Sequence, residues 1–419
     1  MAGNVAELRG RDRAVAELAR KPARLPDRER ARTGDPVLRE LRRAGTELWL
    51  DTGSLEEARR LWRPEMSALT TNNTLANQVV QSGSMDSTIR EAAGTIRDAE
   101  PDVSLDALVL DIVFIINSHI AIRLAEAFDA RVSVELHPGV ARDMDQTVRY
   151  ARRYHAVSPE RFVVKIPLTP EGYCAVARVR EEGIPVNYTL GFSARQNYLA
   201  ALLSRPDYVN VFLGRLNAVV ADNRLGDGKF VGEKTALASQ DAVREIRRAM
   251  PGVATRQIAA SMRNADQMLA LAGMDVFTIP PKVLAEFYAK GYTPDDVGSR
   301  RRDGYEVKLG GGTDKGSVEV LWTIDDAFKS FAEELASRGG ANLTGDDLRR
   351  ADRERGTRLF ADFDEGERAA IREGGKIPDV ARWRGRASLD DLMTEAALQS
   401  FGVDQAAFDA YVRKLIGAA

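Results

Sequence analysis

The chain has 419 residues, 44% of them hydrophobic, which is enough for one large domain with additions or for two or three domains. Its 60 basic and 62 acidic residues leave a net charge of -2, so the overall charge gives no support for nucleic-acid binding. One cysteine and three histidines exclude an intramolecular disulfide framework, disfavour a metal site and fit a cytoplasmic location, where thiols stay reduced.

The first predicted segment is a basic extension over residues 1–45, rich in arginine and alanine. Its weak helical pattern is interrupted by Pro22 and Pro26, which predicts a helical or partly disordered segment. A specific anion-binding arm is the less favoured alternative. No apolar signal core opens the chain, and no stretch approaches the roughly 20 apolar residues of a membrane span, so we expect no membrane association.

From residue 46 onward, short apolar runs alternate with amphipathic helical stretches, as in βα units with a parallel sheet. Eight runs cover residues 47–52, 67–72, 131–136, 162–168, 185–191, 208–214, 256–262 and 276–280. Together they span close to the ~250 residues usual for this architecture. The sequence therefore predicts an α/β protein whose catalytic domain, residues 46–290, is a (β/α)₈ TIM barrel.

The strand pattern stops after Lys290, and apolar residues then recur at helical spacing. Residues 291–419 are therefore predicted to form a helical appendix packed on the barrel. This appendix and the N-terminal extension are candidates for a lid, a partner surface or an oligomer contact, and they leave homo-oligomer formation open. Gly310–Gly312 lack the order of a phosphate-binding loop and are predicted to be a flexible loop.

Polar side chains interrupt the predicted strands on one parity, near the carboxyl ends. Strands of a parallel barrel are buried on both faces, so a polar residue inside one needs a reason. Alternation assigns the aliphatic residues to the face that meets the helices and the polar ones to the other face. The polar set comprises Asp51, Thr70, Asn72, Ser133, Glu135, Lys165, Asn187 and Thr189. These side chains are expected to converge at the barrel mouth, where such barrels carry their active sites.

Lys165 is the central candidate of this set, because burial favours the neutral, nucleophilic form of a lysine. A neutral amine attacks a carbonyl to form a Schiff base, whose iminium accepts the electrons of a breaking C–C bond. The step needs a base for a hydroxyl proton and a relay for water, which Asp51 and Glu135 can supply. The alternative is a structural ion pair between Lys165 and a carboxylate.

A second group suggests an anion site at the same end of the barrel. Arg215 follows one strand, and Ser261 and Arg263 share a parity at the end of another. Two guanidinium groups and a hydroxyl suit a phosphate. The competing interpretation, equally weighted on these residues alone, is that both arginines pair with surface carboxylates.

These residues and their order resemble the transaldolase family over roughly residues 46–290. The resemblance rests on Leu48-Trp-Leu-Asp-Thr52, Thr70-Thr-Asn-Asn-Thr-Leu75, Val132-Ser-Val-Glu135, Val164-Lys-Ile-Pro167, Val186-Asn-Tyr-Thr-Leu190, Phe212-Leu-Gly-Arg215 and Ala260-Ser-Met-Arg-Asn264. It implies transfer of a dihydroxyacetone unit between sugar phosphates, with no cofactor and no metal.

The resemblance also implies roles for single residues. Lys165 would form the iminium, and Asp51 would take and return the proton of the hydroxyl beside the breaking bond. Glu135 and Thr189 would hold and activate water. The remaining residues would bind substrate: Asn72, Ser133, Asn187, Asn210 and Phe212 around the donor, and Arg215, Ser261 and Arg263 at the phosphate.

Several positions depart from the family pattern. Asn73 and Val211 stand where prolines are usual, and Asn210 stands where many members have a serine that contacts the donor. Phe212 matches the transferases, whereas related free aldolases tend to carry tyrosine. His137 after the third strand is unusual, and a structural hydrogen bond at the rim is its favoured explanation.

Three hypotheses follow from the sequence. The first is a transaldolase of central sugar metabolism, in the pentose phosphate pathway. The second is a family member, or a free aldolase, that acts on a modified sugar. The third is an inactive barrel used as a binding scaffold, which the retained polar set disfavours because idle buried charges are costly.

Overall fold

The computed structural model describes residues 9–29, 32–300 and 302–417. Their strands form one closed parallel barrel in which each strand pairs with the next and the last pairs with the first. The strands are β1 (Glu47–Asp51), β2 (Met66–Thr70), β3 (Arg131–Glu135), β4 (Phe162–Pro167), β5 (Val186–Thr189), β6 (Tyr208–Phe212), β7 (Arg256–Ala260) and β8 (Val276–Ile279). The predicted (β/α)₈ TIM barrel is confirmed. Each strand ends one or two residues before the predicted run, where the chain leaves the ladder.

Helices surround this barrel and follow it. Those up to the last strand are α1 (Gly10–Arg20), α2 (Pro36–Arg43), α3 (Leu55–Leu61), α4 (Asn73–Gln81), α5 (Asp86–Ala99), α6 (Leu105–Phe128), α7 (Met144–Val157), α8 (Pro170–Glu181), α9 (Ala194–Leu203), α10 (Leu213–Asp222), α11 (Val231–Ala249) and α12 (Asp266–Ala270). The later ones are α13 (Pro281–Ala289), α14 (Lys315–Glu319), α15 (Asp326–Ser337), α16 (Gly345–Arg355), α17 (Glu365–Glu373) and α18 (Leu389–Leu415). Short 3₁₀ helices occur at Pro138–Val140, Pro294–Asp296, Gly340–Asn342 and Val380–Trp383.

The described part of the N-terminal extension is largely helical. Val15 and Ala19 of α1 are fully buried, and α1 packs against α5, α6 and α7. Arg11 anchors it further, with its Nε 3.1 Å from Oδ2 of the buried Asp111 in α6. The basic segment is therefore part of the fold where it is described; residues 1–8, 30 and 31 lie outside the described residues.

Helix α6 is more apolar than we predicted from the sequence. It has 24 residues, and an 18-residue window of it has a mean hydropathy of 1.9, which is sufficient, by length and composition, to cross a membrane. The expectation that no stretch approaches a membrane span was therefore wrong. In the fold 72% of that apolar window is buried, and α6 packs on β3, so its composition is explained as that of a core helix.

The alternation of side chains sorts the barrel as expected. On β3, Val132 and Val134 are fully buried among aliphatic side chains, while the intervening Ser133 and Glu135 belong to the other face. A further carboxylate on the inward parity, Glu47, lies at the opposite end of the strands. It accepts hydrogen bonds from Trp49 Nε1 at 2.8 Å and Ser67 Oγ at 2.7 Å, and it also pairs with an arginine of β7.

The C-terminal helices pack on helices of the barrel: α15 contacts α9, α16 contacts α8, and α18 contacts α4, α5, α6 and the 3₁₀ helix at Pro138–Val140. A buried ion pair fixes its first turn, since Arg195 of α9 donates two hydrogen bonds to Asp390, at 2.8 and 2.9 Å. Ser193 Oγ donates a third at 2.6 Å. Because these partners hold a charge that water no longer reaches, α18 is docked in one position.

Candidate active site

Lys165 lies inside the barrel between a carboxylate and an amide. The strand register sets Glu135 of β3 and Asn187 of β5 directly beside it. The Lys165 side chain is 7% exposed; its Nζ lies 3.7 Å from Glu135 Oε2 and donates a 3.2 Å hydrogen bond to the carbonyl of Thr71. The amine is thus held at the carboxyl end of the strands, with access to the cavity above it.

Both carboxyl groups of the site have raised pKa values. Burial raises the pKa of Glu135 to about 7, against the opposing charge of Lys165 and with some added repulsion from Asp51. Burial also raises the pKa of Asp51, against the attraction of Lys165 and a hydrogen bond from Thr70. Shifts of this kind, caused by desolvation beside a charged partner in a cleft, are characteristic of functional sites.

A hydroxyl pair orients Asp51. Thr70 Oγ1 donates a 2.6 Å hydrogen bond to Asp51 Oδ1 and lies 2.8 Å from Thr278 Oγ1. Thr70 has one hydroxyl proton, so when it donates to Asp51 it accepts from Thr278. Thr278 was not among the predicted site residues, although it lies on the inward parity of β8 and alternation could have found it.

The three predicted asparagines have different surroundings. Asn187 Nδ2 donates to Ser133 Oγ at 3.0 Å, and its Oδ1 is buried without a described hydrogen-bond partner. Asn72 Oδ1 caps α4 by accepting from the Leu75 amide at 2.9 Å. Asn210 donates to the carbonyl of Tyr188 at 2.7 Å and accepts from the amide of Gly191 at 3.1 Å. Its amide therefore already joins β6 to the end of β5.

Two arginines share one corner of the mouth without a carboxylate partner among the described residues. Burial and the neighbouring charge of Arg263 lower the pKa of Arg215 to about 10, and burial lowers the pKa of Arg263. Arg215 Nη1 is buried and unsatisfied by any described atom. A Cβ at Gly214 would lie 2.3 Å from the carbonyl oxygen of Ser261, so a glycine is required for this close approach. The alternative that both arginines pair with carboxylates finds no support here.

A cavity of about 270 Å³ connects these groups. Nine predicted site residues line it: Asp51, Asn72, Lys165, Asn187, Asn210, Phe212, Arg215, Ser261 and Arg263. The other three, Ser133, Glu135 and Thr189, lie buried beside Lys165 and Asn187 in the strands and are not part of the lining. The appendix also contributes to the lining, through Lys376 and Phe401, which sequence reasoning did not single out.

His137 is a structural residue of the rim. Its Nδ1 accepts a 2.9 Å hydrogen bond from the amide of Gly139, so the ring carries its proton on Nε2 when neutral. That nitrogen lies 3.2 Å from Oδ2 of Asp409 on α18. The predicted structural hydrogen bond is present, and His137 does not line the cavity. Among the described residues there is also no group of three or more His, Cys, Asp or Glu side chains suited to a metal.

The fold and the site define a (β/α)₈-barrel protein with a buried lysine and two carboxyl groups at its mouth. The sequence profile of the transaldolase/fructose-6-phosphate aldolase family matches residues 48–334, well over half of the chain. The chain belongs to this family. It is an enzyme of the class that transfers aldehyde or ketone residues.

Individual relatives agree with that assignment. A probable transaldolase of Aquifex aeolicus is 36% identical over 182 residues, which are 42% of this chain and 73% of the relative. A probable transaldolase of Thermus thermophilus is 30% identical over 259 residues, covering 61% and 95% of the two chains. The transaldolase of Chlamydia trachomatis is 31% identical over 223 residues, covering 52% and 67%. The residues after 334 lie beyond the family match.

Proposed function

We propose that the enzyme transfers a dihydroxyacetone unit from a ketose phosphate to an aldose phosphate through a Schiff base on Lys165. The observation that carries the proposal is the arrangement of a buried amine, the Asp51 carboxyl group and two arginines without carboxylate partners around one cavity, with the Glu135 carboxyl group buried beside the amine; both carboxyl groups have raised pKa values. Each part supplies one requirement of the reaction, and the family membership supports the whole.

The first half of the reaction forms the iminium. Neutral Lys165 Nζ attacks the ketose carbonyl, and the resulting carbinolamine loses water, for which an acid must protonate the departing hydroxyl. Glu135, with its pKa of about 7 and its carboxylate 3.7 Å from Nζ, holds a proton for this step near neutral pH. Thr189 Oγ1 is buried without a described partner, and we propose that it holds the water with Glu135.

The second half breaks and remakes the carbon–carbon bond. Asp51 accepts the proton of the hydroxyl beside that bond, the bonding electrons move onto the iminium, and an aldose phosphate leaves. The enamine on Lys165 then attacks the carbonyl of a second aldose phosphate while Asp51 returns the proton. Hydrolysis of the new iminium releases the product ketose, so no electron donor or acceptor is required.

A family member that acts on a modified sugar, or a free aldolase, is the second candidate. Asn210 favours it, because this residue replaces the usual donor-binding serine and its amide is already bonded to backbone groups of the neighbouring strand. Phe212 in the lining favours transfer over free aldol cleavage. Both candidates use Lys165, whereas the scaffold hypothesis does not and is disfavoured by membership of an enzyme family.

Borohydride reduction in the presence of fructose 6-phosphate, followed by peptide mass spectrometry, tests the proposal. We expect a stable adduct on Lys165, none in Lys165→Met, and an unchanged adduct in the control Lys414→Met, an exposed lysine at the end of α18. An adduct with another ketose alone would indicate the modified-sugar candidate. If no ketose or small ketone labels Lys165, the catalytic assignment is wrong.

A further inference from the structure

Helix α18 lies across the mouth of the barrel, beyond the residues that match the family. Thr394 Oγ1 donates a 3.0 Å hydrogen bond to the carbonyl of Leu190, just after β5. About two turns further on, Phe401 faces the cavity, and Asp404 accepts a hydrogen bond from Thr74 at the start of α4. The helix therefore forms part of the wall of the active-site cavity.

Phe401 packs directly on one of the arginines of the anion corner. The Arg215 guanidinium lies 5.7 Å from the Phe401 ring centre and 5.8 Å from that of Phe212. One ring belongs to the appendix and the other to β6, and both are over 90% buried. Contact with two aromatic rings restrains the planar guanidinium and stabilises its charge where water is largely excluded.

Lys376 adds a further basic side chain to the cavity lined by Arg215 and Arg263. It lies between α17 and the 3₁₀ helix at Val380–Trp383, its side chain is exposed to solvent, and no described residue forms an ion pair with it. Asp51 is the one carboxylate among the described lining residues, whereas four of them are basic: Lys165, Arg215, Arg263 and Lys376. A site with this charge balance attracts a small dianion, and a phosphate group offers two charges and several acceptor oxygens.

We propose that the C-terminal appendix completes the phosphate site: Lys376 binds the phosphate group, and Phe401 positions Arg215 for it. This inference rests on the proposed function, since it assigns the same cavity to a sugar phosphate. It extends the site from the barrel's Arg215, Ser261 and Arg263 to a segment that the family profile does not cover. The alternative is that Lys376 is a solvated surface lysine at the edge of the cavity and binds no phosphate.

Calorimetric titration of the full-length protein with inorganic phosphate tests the role of Lys376. We expect Lys376→Met to weaken phosphate binding about two- to fivefold and to make it less sensitive to salt, because one screened ion pair is lost. Lys414→Met, the exposed lysine of α18, should leave the affinity unchanged. Equal affinity in Lys376→Met and wild type would overturn the proposal, as would a wild-type protein that binds no phosphate at millimolar concentration.

Phe401 needs a control for packing, because it is also part of the core. Phe401→Leu removes the ring next to Arg215, whereas Phe408→Leu makes the same change at a buried residue of α18 outside the cavity lining. We expect about threefold weaker phosphate binding, and a higher KM for a phosphorylated substrate with little change in kcat, in Phe401→Leu alone. Equal effects of the two variants would reduce Phe401 to a packing residue.

Trapping with dihydroxyacetone, which has no phosphate, separates this inference from the proposed function. A Lys165 adduct of equal yield in wild type and Lys376→Met, together with unequal phosphate affinities, supports both. An adduct with unchanged phosphate affinity overturns the inference and leaves the proposed function standing. No adduct in wild type with dihydroxyacetone or with any ketose overturns the proposed function, while the phosphate titration still reports on the anion site.

Discussion

Replacing Glu135 with glutamine isolates what it costs the fold to bury a carboxyl group beside Lys165. Glu135 is 2% exposed, and burial raises its pKa from an ordinary value of 4.5 to about 7. Between those values the folded protein retains a proton that the unfolded chain has released. The contribution of this group to stability is therefore fully present below the unfolded pKa and is lost as the pH rises through the folded pKa.

The size of the effect follows from the two pKa values. A difference of about 2.5 pKa units corresponds to roughly 3 kcal/mol of unfolding free energy over the full titration, of which about 2.5 kcal/mol falls between pH 5 and pH 8. The pKa of Glu135 in the folded protein already includes the attraction of Lys165, so that attraction is not added separately. Because glutamine resembles the protonated carboxyl group and does not titrate, Glu135→Gln should gain that amount relative to wild type over this pH interval.

Urea unfolding of both proteins at pH 5 and pH 8, followed by circular dichroism, measures this difference. Glu354→Gln, at an exposed position of α16, is the matched control and should show no pH-dependent gain. In the trapping assay, Glu135→Gln should form the Lys165 adduct more slowly than wild type, because it has no proton to give. A stability difference that is equal at both pH values, or that favours wild type at pH 8, would refute the reasoning.

Two further predictions concern the docking of α18 and the close contact at the anion corner. Arg195→Met leaves Asp390 buried without its cation and should lower the unfolding free energy by about 3–5 kcal/mol. Adding Asp390→Asn to Arg195→Met should restore part of the unfolding free energy measured with urea. A loss below ~1 kcal/mol in Arg195→Met would contradict a stabilising role of the Arg195–Asp390 pair. Gly214→Ala forces a Cβ to within 2.3 Å of the Ser261 carbonyl and should cost at least about 1–3 kcal/mol and weaken phosphate binding. Gly94→Ala, in open space on α5, should instead raise the free energy of unfolding by about 0.5–1 kcal/mol. Equal changes in unfolding free energy for the two variants would refute the close approach of Gly214 to Ser261.

The side chains that point into the barrel could be predicted from the sequence, because strand alternation depends only on neighbouring residues. Strand residues alternate between two faces, so an interrupted apolar run shows which side chains point inward. That rule put Lys165, Glu135 and Asn187 on the same parity of three successive strands, and the register aligns them. The same alternation places Thr278 of β8 on the inward face, where it lines the cavity.

The hydrogen-bond partners of individual polar side chains could not be predicted from the sequence in the same way. Asn210, which the family resemblance placed around the donor, lines the cavity, yet its amide bonds to backbone groups of β5 and the following loop. Parity gives the direction of a side chain, whereas the partner depends on how closely the neighbouring loop approaches. Glu135 and Thr189 share the inward parity but lie beside the lysine rather than in the cavity lining.

The role of the appendix depends on pairings far apart in the chain, which no local pattern reveals. Four acidic residues of α18 each meet a partner on the barrel: Asp390 with Arg195, Glu395 with Arg142, Asp404 with Thr74, and Asp409 with His137. Because these carboxylates are engaged in docking, they compete less for the arginines of the mouth than free carboxylates would. The helix thus closes over the cavity while Arg215, Arg263 and Lys376 stay without carboxylate partners among the described residues, and this is the condition under which they can bind an anionic substrate.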